Sequence, residues 1–315
     1  MLKKINSIVI GLGKIGLGDP KLKKYHKLLS HCESLDKINF FNLACAIDKK
    51  KRQRQIFEKY FKVLAYDKIS LVPKHIKIDL VIISVPSELH FKLIKDSVKR
   101  LKPKVILIEK PFCKNLRQAQ IIEKICEKNN IKIFVNYQRR MIEELKNSFK
   151  STKKNFTKGS AIIYGGLINN GSHFLDLCNY LFGNCEEVYR SSKLNYSRNL
   201  SDYLGKYRLL FSNADINFEN QINKKNFFEL NLKNRSTNIK LSQTMQKYKN
   251  HKMPKIKLQI FDKKKKVKKY ISINIRNYQK KVYFQIINFF KKKKNDLTNV
   301  KEAIQVKKII NEIVG

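Results

Sequence analysis

The chain has 315 residues, 42% of them hydrophobic, with 68 Lys or Arg against 25 Asp or Glu and a formal charge of +43. That length favours two domains with an ordinary core, no run approaches the ~20 apolar residues of a membrane span, and glycines at 11, 13 and 16 interrupt the N-terminal apolar run before a secretory segment forms, so a cytoplasmic protein without a membrane partner is expected. The charge alone points to nucleic acid or an anionic surface, but the lysines run through the whole chain beside abundant Ile and Asn, as an AT-rich genome favours, and no nucleic-acid motif accompanies them; a solvated basic surface is expected, and an anionic substrate would make use of it.

Residues 1–136 alternate β-branched runs with helical patterns, the βαβ signature of a parallel sheet. The expected strands are Ile5–Ile10, Phe40–Ile47, Leu80–Ser84, Val105–Ile108 and Ile131–Val135, with helices near 20–35, 49–61, 88–100 and 114–129. The second helix is read as half-buried through Ile56, Tyr60 and Phe61. From about 137 the pattern changes. A basic segment, Lys146–Lys158, leads to a strand near Ser160–Tyr164 and a helix that begins near Gly171 and ends before Gly183. Runs at Tyr207–Phe211, Phe227–Leu232, Lys257–Phe261 and Tyr270–Ile275 read as antiparallel strands, and helices near 277–293 and 299–313 close the chain. The lysine runs Lys263–Lys269 and Lys291–Lys294 read as a strand flank and a helix end.

The fingerprint Gly11-Leu-Gly13-Lys14-Ile15-Gly16 follows the first strand directly. Gly11 permits the tight turn, Gly13 lets the backbone approach a pyrophosphate, and Gly16 lets the next helix pack closely with its N-terminus toward the negative charge. In an alternating α/β region this predicts a dinucleotide site, with Lys14 and Ile15 in its loop. Asp48 ends the second strand, where a carboxylate accepts hydrogen bonds from the ribose hydroxyls of NAD; it also suits a helix N-cap. It lies well beyond the usual ~20-residue interval from the glycines, so the first crossover carries an insertion around residues 18–37. Lys49, Lys50, Lys51 and Arg52 follow and suit a 2′-phosphate instead. NAD is expected ahead of NADP.

The loop Ser84-Val-Pro86-Ser-Glu-Leu-His90 runs along the cofactor edge of such a sheet, with its path fixed by Pro86. Ser84, Pro86 and His90 are cofactor contacts on this reading, His90 equally a cap of the next helix. Glu109-Lys110-Pro111 ends the strand Val105–Ile108 at the sheet's carboxyl edge, where ligands bind. As a cation Lys110 stabilises an alkoxide during hydride transfer, and Glu109 orients the ammonium; a surface pair at a strand end is the alternative. Asn136 and Arg139, in Asn136-Tyr-Gln-Arg-Arg140, are candidate substrate contacts, which structural salt bridges would explain almost as well.

His173 sits at a helix start with Asp176 three residues on, on the same face. An imidazole near ~6.5 suits proton exchange with a substrate hydroxyl, and a capping histidine is the alternative. Asn169, four residues earlier, holds that ring or the substrate, with Asn170 beside it. Six cysteines, at 32, 45, 113, 126, 178 and 185, show no C-x-x-C pair and read as reduced structural thiols; no metal is expected.

On GLGKIG at 11–16, VPSELH at 85–90, EKPF at 109–112, NYQRR at 136–140, NNGSHFLDL at 169–177 and the closing NVKEAIQVKKIINEI, the chain resembles the Gfo/Idh/MocA family, the glucose–fructose oxidoreductase and inositol dehydrogenase relatives. The resemblance implies an α/β protein. Its Rossmann NAD(P)-binding domain spans 1–118, with strand 131–136 completing the sheet. Residues 119–315 form a C-terminal substrate-binding and oligomerisation domain with an open, mostly antiparallel sheet, supporting a homo-dimer or homo-tetramer. It further implies hydride transfer between nicotinamide and a sugar, polyol or nucleotide sugar, with Lys110 polarising the oxygen, His173 as acid/base and Asp176 in support. Many members have an aspartate where this chain has Asn169. An amide accepts no proton, which leaves His173 to act alone. A catalytically silent dinucleotide-binding sensor or scaffold is the rival reading.

Overall fold

Apolar, β-branched runs too short for helices become strands when their neighbours cover both faces. Six such runs build one sheet: β1 Ile5–Ile10, β2 Phe41–Ile47, β3 Ala65–Tyr66, β4 Leu80–Ile83, β5 Val105–Ile108 and β6 Lys132–Val135. They are parallel, in the order β3-β2-β1-β4-β5-β6, and a closing pair of residues, Thr298–Asn299, adds antiparallel to β6. This is the doubly wound dinucleotide-binding order, whose ligand crevice opens between β1 and β4. β4 and β5 are buried at every position.

The computed structural model describes residues 4–18, 30–150, 157–190, 194–222, 226–233, 235, 237–248, 251–261, 267–274 and 278–315. Its helices among these are α1 His31–Lys37, α2 Lys51–Phe61, α3 His90–Leu101, α4 Leu116–Lys128, α5 Glu143–Lys150, α6 Ser172–Phe182, α7 Tyr278–Phe290 and α8 Val300–Val314. The chain divides into two units, residues 1–138 with 276–304 and residues 139–275 with 305–315. The first unit therefore takes in α4, which the boundary at 118 assigned elsewhere, because α4 leads into β6 of the same sheet. It also takes in the segment from 276, because Thr298–Asn299 pairs with β6 and Phe289 of α7 meets Phe134 of β6 with centroids 5.3 Å apart.

The first crossover is broken. Leu17 N donates to Gly13 O at 2.9 Å, one helical turn; then His31 N donates to Ile15 O and Cys32 N to Gly16 O, at 3.0 and 2.9 Å. The carbonyls of that first turn are thus taken up by α1, on the far side of an insertion whose residues 19–29 lie outside the described set. Of the expected helix near 20–35, residues 31–35 are helical. They are started by Ser30, whose side chain accepts from Glu33 N. In α2 the inward residue is Phe57, fully buried and stacked on Phe61 one turn on, while Tyr60 is exposed, which corrects the expected stripe. α8 opens on a reciprocal cap, Glu302 N to Asn299 Oδ1 and Asn299 N to Glu302 Oε2.

The second unit carries β7 Thr157–Tyr164, β8 Cys185–Arg190, β9 Asn195–Ser197, β10 Asp202–Phe211, β11 Ala214–Gln221, β12 Asn226–Lys233, β13 Asn238–Tyr248, β14 His251–Phe261 and β15 Val267–Asn274. They form a sheet in the order β15-β14-β13-β12-β7-β11-β10-β8, with β9 on β10. The pair β7–β11 is parallel and the other pairs are antiparallel. β11 buries Ala214, Ile216 and Phe218 between Asp215, Asn217 and Glu219. Its alternation is a strand signal hidden by polar content, as in β13, which the sequence reading missed; it also missed β8, whose burial does not alternate. Phe174 of α6 lies on Phe228 of β12, centroids 4.5 Å apart, which seats α6 on the sheet. Residues 263–266 and Ile275 of the sequence-based expectations lie outside the described set. Lys291–Lys294 follow α7 as exposed residues, Lys292 in the left-handed region.

Candidate active site

The glycine loop has the shape its sequence predicts. Gly11 has φ +97°, and a Cβ there would lie 2.6 Å from Ser84 O. At Gly16 a Cβ would lie 1.8 Å from Gly11 O and 2.6 Å from Ser84 Oγ, whereas at Gly13 nothing lies within 4 Å. The loop is tied down by Gly11 N to Ile47 O and by Ser84 Oγ donating to Gly11 O at 2.7 Å. Two glycines thus let backbone pack on backbone and the third leaves its side open, which fits a cradle for pyrophosphate. Ile15 is exposed at the loop. Gly16→Ala is expected to weaken NADH binding, measured by calorimetry, because its methyl meets a carbonyl that cannot yield. Overpacking of about 1–3 kcal/mol corresponds to about 5–150-fold in affinity, and an unchanged Kd would contradict the cradle.

Asp48, at the carboxyl end of β2, accepts from Leu12 N at 2.7 Å through Oδ2 and from Lys50 N at 2.8 Å through Oδ1. It therefore joins the glycine loop to the start of α2. Each oxygen keeps a lone pair for a ribose hydroxyl. Arg54 donates to the carbonyls of Asp48 and Lys49, at 2.8 and 3.0 Å, so its guanidinium sits under the same turn.

His90 corrects the expected cofactor contact. It is fully buried, with Nδ1 3.1 Å from Phe112 O and Nε2 2.9 Å from Val85 O. The ring clamps the loop after β4 to the segment after β5. Burial lowers its pKa below 6.5, outweighing the backbone groups of Phe112, Val85 and Pro111 and the Glu109 charge, which act to raise it. An unfolded chain binds this proton below pH 6.5 and the native chain does not, so stability falls as the pH drops through that window. The expected slope is at most about 1.4 kcal/mol per pH unit. Urea unfolding between neutral and mildly acid pH should show it in the wild type and not in His90→Gln; equal slopes would contradict it.

At the end of β5, Glu109 is 13% exposed at its side chain. Its Oε1 accepts from Asn136 Nδ2 at 2.6 Å and faces His31 Nε2 at 3.1 Å. Burial raises the carboxyl, yet the hydrogen bond and positive pole of His31, the Asn136 amide and the Lys110 charge together bring it below the ordinary value. Asn136 is itself buried and also donates to Gln279 Oε1, so its amide braces Glu109 instead of standing open to substrate. His31, Gln279 and Tyr283 escaped the sequence reading. The first lies beyond the insertion and the others lie in α7, more than a hundred residues past the strands they serve. A histidine one turn before buried Leu35 in a Ser-capped helix was the available signal.

In the second unit, Arg140 is 1% exposed and Asp176 is fully buried. Arg140 Nε donates to Asp176 Oδ2 at 2.7 Å and Nη2 to Oδ1 at 2.8 Å, a bidentate pair fixing the residues after β6 to α6. Asp176 thus supports α6 through Arg140. Arg139 donates to Gln243 Oε1 at 2.6 Å and lies over the rings of Phe174 and Phe228, at 4.9 and 4.5 Å. His173 is half-buried in the first turn of α6, after a π-helical turn Leu167–Gly171.

That turn is built on polar anchors. Asp202 accepts from Ile168 N and Asn169 N, both at 2.8 Å, and a Cβ at Gly166 would lie 2.0 Å from Asp202 Cγ. Asn220 donates to Gly165 O at 2.9 Å and is held by Tyr207 Oη at 2.8 Å. Asn170 donates to Tyr164 O at 2.9 Å, which makes its side chain a brace of the loop; Asn169 is exposed. π turns inside helices recur at functional sites because they re-aim a side chain.

The six cysteines are free thiols, and burial pushes Cys45 and Cys126 up to about 12. Among the described residues no helix is long and apolar enough to cross a membrane.

Residues 5–137 match the model of a family described as an oxidoreductase family with an NAD-binding Rossmann fold, Gfo/Idh/MocA. No curated protein sequence matches the chain. Among solved structures, an oxidoreductase of Desulfitobacterium hafniense described as NADPH-dependent superposes with a TM-score of 0.76 at 14% identity, over 100% of this chain and 95% of its own. The WlbA dehydrogenase of Bordetella pertussis, solved with NADH and UDP-GlcNAcA, gives 0.73 at 14% identity, over 99% and 97%. A mutant of KijD10, a 3-ketoreductase of Actinomadura kijaniata solved with TDP-benzene and NADP, gives 0.71 at 12%, also over 99% and 97%. At these identities the likeness is one of fold.

Proposed function

We propose, for a chain whose residues 5–137 match the Gfo/Idh/MocA oxidoreductase family model, NAD(P)-dependent hydride transfer at a hydroxyl-bearing carbon of a sugar, polyol or nucleotide sugar. The observation that carries this reading is the carboxyl edge of the first sheet. There the glycine cradle after β1 lies against Ser84 just after β4, and Glu109 and Lys110 directly follow the next strand, β5. Bound nicotinamide supplies or takes the hydride at its C4. Gly11, Gly13 and Gly16 admit the pyrophosphate, and Asp48 receives the ribose hydroxyls, which favours NAD over NADP. Lys110 polarises the substrate oxygen and stabilises it as an alkoxide forms. His173 takes or returns the hydroxyl proton. Asn169 positions a hydroxyl without accepting its proton.

A nucleotide sugar is the favoured substrate class. The basic surface suits an anion, and two similar solved structures hold nucleotide-linked ligands. A homo-dimer or homo-tetramer belongs to the same reading, and light scattering measures it. The test of function follows nicotinamide absorbance with NAD and NADP against nucleotide sugars, free sugars and polyols. Reduction with one class, lost in His173→Ala, is the expected result. Tight NADH binding with no reduction, and no deuterium transfer from labelled NADH to the corresponding keto sugars, would favour the silent sensor.

A further inference from the structure

We infer that His31 is a positioning residue for Lys110, acting through the carboxylate of Glu109 and held in register by Gln279 and Tyr283 of α7. The inference rests on the role proposed above for Lys110. His31 is fully buried. Its Nδ1 lies 2.8 Å from Gln279 Nε2 and 2.8 Å from Tyr283 Oη, and its Nε2 faces Glu109.

The donors in this network fix its polarity. Gln279 Oε1 accepts from Asn136 Nδ2 and Gln138 Nε2, so the other end of that amide, an N–H donor, meets His31 Nδ1. Nδ1 is therefore an acceptor, and the ring's proton sits on Nε2, where it is donated to Glu109. Tyr283 is anchored in turn, its ring edge-on to Phe41 of β2 at 5.2 Å and to His31 at 6.0 Å. Glu109 Oε1 thus receives two fixed donors, one from α1 and one from the end of β6, and the carboxylate cannot rotate without breaking both. Lys110 is the next residue and acts on the same carboxylate through its charge. A carboxylate pinned on its buried side offers the ammonium a counter-charge in a set place. An unpinned one would follow the lysine toward solvent.

This arrangement gives α7 a task beyond packing: a segment from late in the chain sets the tautomer of a histidine at the first crossover. It also explains why the crossover resumes its helical hydrogen bonds after the insertion. His31 N to Ile15 O places the ring at the end of the glycine loop's own turn, so the cradle and the lysine site share one anchor.

The test compares His31→Leu and His31→Gln with wild type in the full-length protein. The titratable groups around Glu109 are His31 of α1, His90 of α3, Lys110 on its own strand end and Tyr283 of α7. Of these, only His31 changes in the variants. Its donor helps hold Glu109 low, so the Glu109 carboxyl carbon resonance, assigned with Glu109→Gln, should titrate at higher pH in His31→Leu. It should return toward wild type in His31→Gln, whose amide can donate. In parallel, kcat should fall by about 10²-fold, as misplacement of a reacting group by ~1 Å does, with NADH affinity kept and the acid limb of the rate profile moved up. His31→Asn, polar but too short for Glu109, replaces the leucine variant if that does not fold. An unshifted Glu109 titration with unchanged kcat would overturn the inference. If the wild type transfers no hydride at all, the proposed function fails, while the carboxyl titration still decides whether His31 holds Glu109.

Discussion

Lys110→Met is expected to lower turnover by about 10²–10³-fold, the loss that follows removal of one electrostatic donor from a developing oxyanion, with NADH affinity largely kept. Methionine preserves the length and apolar stem of the side chain and deletes the charge. The groups proposed to hold the dinucleotide, the glycine loop and Asp48, are elsewhere along the same sheet edge and anchored by their own hydrogen bonds. The change should therefore appear in kcat, with the dissociation constant from calorimetry little moved. Arginine at the position keeps a cation with a different shape and is expected to recover only part of the rate. A Lys110→Met enzyme with wild-type turnover would remove Lys110 from the mechanism. One that loses NADH binding instead would make it a cofactor ligand.

Asp176→Asn is expected to cost about 3–5 kcal/mol of stability, the usual result of breaking a buried ion pair by removing one charge. Arg140 is 1% exposed and gives both its bidentate hydrogen bonds to this carboxylate. Its guanidinium also lies 4.8 Å from the Tyr180 ring. A cost of that size should lower the thermal midpoint by about 6–20 °C. The double variant Arg140→Met with Asp176→Leu, which removes both charges and keeps the volume, should regain much of the loss. Asp176→Asn within about 1 kcal/mol of wild type would show that the pair is not the fastening of α6.

Five strands of the parallel sheet were legible because each is an apolar run ended by a residue with chemical meaning: Gly11, Asp48, Ser84, Glu109 and Asn136; β3, two residues long, carries no such signal and was not read. Periodicity and glycine spacing are local, and there they suffice. The second sheet was read in part. Strands such as β11 and β13 carry Asn, Lys, Glu and Gln on alternate positions, and their identity depends on partners that one segment does not reveal.

The residues proposed for function divide along the same line. Lys110 and His173 announce themselves through the residues beside them, EKP and GSHFLD. The brace behind Lys110 does not, because Gln279 and Tyr283 meet His31 only after the last part of the chain has folded back onto the first unit. His90 and Asn170 were misjudged for a related reason. Both have polar side chains in the turns that follow a strand, His90 opening α3 and Asn170 in the π-helical turn, and only the folded structure shows that the local backbone carbonyls have claimed their donors.

The measurement that tests the central claim most directly is a calorimetric titration of NADH, and separately NADPH, into protein freed of copurified nucleotide. One site per chain with NADH bound more tightly, and the preference reduced in Asp48→Ser, is the predicted result. No binding of either dinucleotide would contradict it, since neither Lys110 nor His173 has a hydride to act on without that cofactor.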